Sequence, residues 1–88
     1  MALSRKTRVP VTRETDVARA VVQASRLAKD LQLPDIDANK LATAVSELAR
    51  NIIKYAGSGE VLIGGATQPS GRQGIEVVVR DRGPGIAD

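Results

Sequence analysis

The chain has no cysteine, no histidine, no phenylalanine and no tryptophan, and a single tyrosine among its 88 residues. Each absence closes off a class of protein. Without cysteine there is neither a disulfide framework nor a thiolate zinc site, and without histidine the imidazole alternative is missing too. The near-absence of aromatics removes the stacking platforms on which single-stranded nucleic acids are held. No apolar run approaches the roughly 20 residues of a transmembrane helix. The basic start, Met1 to Arg8, has no apolar stretch behind it of the kind a signal peptide carries. These absences lead to an expectation of a cytoplasmic chain with no membrane partner.

Charge is the next scarcity. The net value is +3, but Arg5, Lys6, Arg8 and Arg13 all fall in the first thirteen residues, which hold no acid. The other nine basic residues face ten acidic ones, so the body of the chain is close to neutral. A short basic arm on a near-neutral body lacks the basic stripe that a nucleic-acid partner requires, and no nucleic acid is expected.

What is present is mostly small and aliphatic. Apolar residues make up 42% of the chain, and Ala, Val, Leu and Ile supply most of them. Short side chains fill a core through many close helix–sheet contacts, not through a few large anchors. A chain this short is one domain, burying little more than ~60% of its unfolded surface.

Val9-Pro10-Val11 reads as a short edge strand, where proline is tolerated. Thr12 to Gln32 reads as a helix capped by Thr12 or Thr15, with Val17, Val21, Ala24, Leu27, Ala28 and Leu31 as its apolar face. Pro34 is expected to end it. Asp37 suits the N-cap of a second helix over Ala38 to Ala56, with Leu41, Val45, Leu48, Ile52 and Tyr55 or Ala56 buried. Gly57 falls where a left-handed C-terminal cap belongs. Glu60 to Ile63 begins a strand, and Gly64-Gly65 suggests a bulge or a close backbone approach. The loop Pro69 to Gly74 leads to a return strand, Ile75 to Arg80. The order β-α-α-β-β predicts an α+β fold, a two-layer α/β sandwich.

Two patterns carry chemistry. Glu47, Asn51 and Lys54 stand at i, i+4 and i+7, which on a straight helix puts them within about 60° of one another. A carboxylate can accept a hydroxyl proton, an amide oxygen is a hard neutral ligand for Mg²⁺, and an ammonium faces phosphate oxygens. The same spacing also describes a solvated edge with a Glu–Lys pair. The second pattern is Asp81-Arg82-Gly83-Pro84-Gly85, at the end of a strand. It describes a type II turn. It equally describes glycines that admit a flat ligand, beside a carboxylate that accepts from the exocyclic amine of adenine but not from the oxygen of guanine.

Together the two patterns resemble a known family. Ser46-Glu47-Leu48-Ala49-Arg50-Asn51-Ile52-Ile53-Lys54-Tyr55-Ala56-Gly57 looks like the N-box of the GHKL (histidine kinase-like) ATPases, and Asp81-Arg82-Gly83-Pro84-Gly85-Ile86 like their G1 box. The wording from Ala42 to Asn51 is similar to the RsbT-type serine/threonine switch kinases, near relatives of the anti-sigma-factor kinases. Tyr55 stands where many relatives carry His, a departure that the switch-kinase branch shares.

The resemblance implies a Bergerat-type ATP-binding fold, incomplete at the C-terminus. Residues 1–8 would be a basic arm, and 9–88 the N-terminal part of the ATPase domain, without its lid and second glycine box. It also implies ATP and Mg²⁺ as cofactors. Glu47 would be the general base, Asn51 the Mg²⁺ ligand and Lys54 a neighbour of the phosphates. Asp81 would read adenine, with Gly83 and Gly85 shaping its pocket. The expected partner is a STAS-type antagonist or scaffold protein, with a PP2C-type phosphatase or a sigma factor as further candidates. A non-catalytic anti-sigma or phosphatase-binding module and an inactive gene fragment are the alternatives. A chain with only these boxes is expected to bind ATP poorly by itself.

Overall fold

The structure, a computed structural model, describes residues 6–81. Strand β1 (Lys6–Val11) leads into helix α1 (Glu14–Asp30) and helix α2 (Asp35–Asn51). A π-helical turn (Ile52–Ala56) extends α2, and strands β2 (Gly59–Thr67) and β3 (Gln73–Asp81) follow. The sheet is antiparallel in the order β1-β2-β3. Pro10 lies on β1 at the sheet edge, as its missing N–H requires.

Strand alternation sorts the sheet into two faces. Val9 and Val11 of β1 and Val61 and Ile63 of β2 join Val17, Ala20, Ala24, Val45, Ala49 and Ile52 of the helical layer in one buried cluster. Ile75, Val77 and Val79 of β3 pack against that cluster. The helices therefore cover one face, giving the two-layer α+β architecture.

The other face is held by charge. Glu60, 3% exposed, is paired with Arg8 of β1 and with Arg80 of β3, the latter at 3.4 Å. Glu60 stands opposite Pro10 on one side and Arg80 on the other. One buried carboxylate thus links both neighbouring strands and favours a single register.

Local chemistry moves several boundaries. The first helix is begun by neither threonine side chain. Its N-cap is Arg13, and the Asp16 carboxylate accepts from the Thr12 N–H at 2.9 Å and the Arg13 N–H at 3.2 Å. Its C-terminus closes before Pro34: Leu33 N–H donates to Ala28 C=O and Gln32 N–H to Lys29 C=O, with Gln32 at φ +59°. That is a Schellman closure, in which a left-handed residue satisfies the orphan carbonyls. Pro34 becomes the N-cap of α2, which starts at Asp35, ahead of Asp37.

Gly64-Gly65 is no bulge. The pairing of β2 with both neighbours runs through Gly64 one residue against one, and both glycines are buried. On α2 the buried residues are Val45 and Ala49, continued by Ile52 and Ala56, while Leu48 and Tyr55 are exposed. Alanines where the two helices pack closely together displace larger residues from the stripe. Ala20 on α1, fully buried, is another instance.

Candidate functional site

Glu47 and Asn51 occupy successive turns of α2, about 6 Å apart along its axis. Both are exposed, and neither side chain is held by a hydrogen bond or ion pair among the described residues. Their neighbours Ser46 and Arg50 are engaged differently. Arg50 donates to Ser46 Oγ at 2.9 Å and to Glu14 Oε2 of α1 at 3.2 Å. One flank of α2 is thus tied to the N-terminus of α1, while the edge bearing Glu47 and Asn51 is left open.

Lys54 lies in the π turn that follows α2. At Ile52 the helix widens, and Gly57 N–H bonds Ile52 C=O at 2.9 Å, five residues back. A π turn takes in an extra residue, so side chains beyond it fall behind the α-helical phase. The 60° arc is that of a straight α-helix, which holds Glu47 and Asn51, whereas Lys54 lies within the π turn. The Lys54 ammonium lies 5.2 Å from the centroid of the Tyr55 ring, over its face. Gly57 ends the turn at φ +86°, the left-handed position its residue type anticipates.

Asp81 is the last described residue. In the sheet register it completes the row Val11–Gly59–Asp81, on the face that the helices cover. It is exposed there, and its side chain makes no hydrogen bond or ion pair among the described residues. Gly59 is the link between Asp81 and α2. A Cβ on Gly59 would stand 2.9 Å from Ile52 Cγ2 on one side and 2.9 Å from Asp81 Cα on the other. The end of α2 and the end of β3 thus approach each other across a residue without a side chain. Gly59 was not singled out by sequence reasoning; its only signal is a glycine one residue before the apolar strand pattern resumes. Gly83, Gly85 and the turn that contains them lie outside the described residues.

The order of the site follows. Asp81 lies by Ile52, Asn51 is next along α2, and Glu47 is one turn nearer its N-terminus. Beyond Glu47 an open groove of about 370 Å³ runs along the same helix, lined by Ile36, Asn39, Lys40, Thr43, Ala44 and Glu47. Among the described residues no group of three acidic, His or Cys side chains could hold a metal alone. A lone free amide such as Asn51 instead suits Mg²⁺ that takes its remaining oxygens from phosphates and water. The residues fit such an ion in that limited sense. No helix in the described residues is long and apolar enough to cross a membrane.

Comparison with known proteins identifies the family. The sequence pattern of the family described as "Histidine kinase-like ATPase domain" matches residues 10–88. A "Serine/threonine-protein kinase RsbT" of Bacillus subtilis (strain 168) is 38% identical over 80 residues, covering 91% of this chain. The match spans 59% of that curated relative's length. No solved structure matches significantly. With the family pattern extending over nearly all of its length, this chain belongs to the histidine kinase-like ATPases.

Proposed function

We propose that this chain forms the adenine- and magnesium-reading part of a serine/threonine kinase that phosphorylates a STAS-type antagonist or scaffold protein in sigma-factor or stress signalling. The observation that supports the reading is that Asp81 of β3 and Ile52, the residue after Asn51, both lie close to Gly59, while the Glu47 and Asn51 side chains on α2 are exposed. The likeness to a relative named as a serine/threonine-protein kinase supports the reaction class.

In this reading Asp81 accepts a hydrogen bond from the adenine amine, and Gly83 and Gly85 admit the ring. Asn51 supplies an amide oxygen to Mg²⁺, which neutralises phosphate charge when bound, and Lys54 lies near the phosphates. Glu47 takes the proton of the acceptor hydroxyl as its oxygen bonds to the γ-phosphorus. The bond from that phosphorus to the departing ADP oxygen breaks, so one phosphoryl group and one proton are accounted for. Phosphoryl transfer depends mainly on positioning and charge neutralisation, and a site of few parts is consistent with that.

The test is transfer of labelled γ-phosphate from Mg-ATP to a STAS-domain protein. Glu47→Gln is expected to lower transfer by roughly 10²–10⁴-fold while leaving ATP binding in place. Equal transfer by the variant would sink the base assignment. Tight association with a sigma factor or PP2C-type phosphatase, with no transfer at all, would favour a non-catalytic docking module.

A further inference from the structure

We infer that Gly59 and the π turn Ile52–Ala56 form a positioning joint that sets the distance and phase between the two halves of the site. The inference rests on the nucleotide reading above. It assigns a role to residues that bear no reactive group.

Two independent features meet at this joint. The first is steric. At Gly59 a Cβ would lie 2.5 Å from Arg80 O, 2.9 Å from Asp81 Cα and 2.9 Å from Ile52 Cγ2. Real Cβ atoms do not come that close to backbone, so any side chain here moves β3, α2 or both. The displaced parts are the residue beside Asn51 and the residue that carries the Asp81 carboxylate. The second feature is helical phase. The buried residues Val45, Ala49, Ile52 and Ala56 keep α-helical spacing straight through the turn, yet the hydrogen bonding there is i to i+5. A π turn is an energetically poor way to continue a helix and recurs at functional sites. Here it begins at the residue after Asn51 and contains Lys54 and Tyr55, so it fixes their direction relative to Glu47 and Asn51.

Packing alone explains less. Packing accounts for the absence of a side chain at the buried Gly59, but not for the choice of Asp81 and the end of α2 as the parts that meet there. What the glycine and the wide turn jointly determine is where Asp81 and Lys54 stand relative to Asn51.

The experiment is an NMR titration of the whole 88-residue chain with Mg-ATP into the millimolar range, for wild type, Gly59→Ala and a deletion of Ile53. The deletion shortens the turn by one residue and leaves every strand residue in place. In the wild type, amide signals at Asn51, Lys54 and Asp81 are expected to shift together with one apparent Kd. In the variants the hairpin signals should persist, the apparent Kd should rise at least roughly tenfold, and the Asp81 response should separate from that of Asn51. A folded variant that titrates like the wild type, with the three signals still moving together, overturns the joint. If neither variant folds, the joint is structural only and the inference fails. If wild type shows no shift at any of the three residues, the nucleotide reading itself fails and takes the joint with it.

Discussion

Asp16 shows how one side chain serves both a helix start and a pH response. Its carboxylate accepts from Thr12 N–H at 2.9 Å, Arg13 N–H at 3.2 Å and Thr12 Oγ at 3.3 Å, with the Arg19 guanidinium 3.6 Å away. The Thr12 N–H bond is the strongest influence. Together with Arg13, the Thr12 hydroxyl and Arg19, it outweighs the opposing effect of burial and holds the carboxyl below its ordinary range. A carboxyl depressed in the folded state stabilises the fold above its unfolded pKa of about 3.9, and that stability is lost as pH falls through the lower folded value. Thermal melts between pH 6 and pH 2 should therefore show wild type losing stability below about pH 4. Asp16→Asn should melt lower at pH 7 and respond less to acid, and parallel curves for the two proteins would contradict this account. Gly57 makes a second prediction at this scale. At φ +86°, alanine in its place should cost about 1 kcal/mol in chemical denaturation.

Among the elements, the sheet separates what its two faces contribute. Ile63, 1% exposed beneath the helices, should cost about 2–5 kcal/mol when cut to alanine, because it loses apolar burial and leaves a cavity. Arg80 lies on the opposite face with its side chain 67% exposed, and Glu60 keeps Arg8 when Arg80 is removed. Arg80→Ala should therefore cost about 1 kcal/mol or less in the same denaturant titration. The order of elements was legible because helical and alternating periods differ in the sequence itself. The apolar stripe of α2 was only partly legible. Spacing nominated Leu48, whereas close approach to the neighbouring layers chose Ala49, which no periodicity distinguishes from an exposed alanine. The π turn was not legible at all, since Val45, Ala49, Ile52 and Ala56 keep α-helical spacing through it. Its wide hydrogen bond closes on Gly57, where the chain must leave the helix and enter β2 only two residues later.

For the molecule as a whole, the proposed site lies where a helix end meets a sheet end. Glu47 and Asn51 could be nominated from sequence because their spacing survives on an intact α-helix, and Asp81 because it closes a strand of branched residues. Gly59 could not, because the role proposed for it depends on how closely Ile52, Arg80 and Asp81 approach it in the fold. The central claim is that α2 and Asp81 frame one adenine-nucleotide site. Parallel NMR titrations of the chain with Mg-ATP and Mg-GTP test it most directly, since a carboxylate at Asp81 matches the adenine amine and opposes the guanine oxygen. The account predicts that ATP shifts the amides of Glu47, Asn51 and Asp81 together, and that GTP fails to shift Asp81 at the same concentration. Identical shifts with both nucleotides, or ATP-induced shifts confined to one of the two elements, would contradict it.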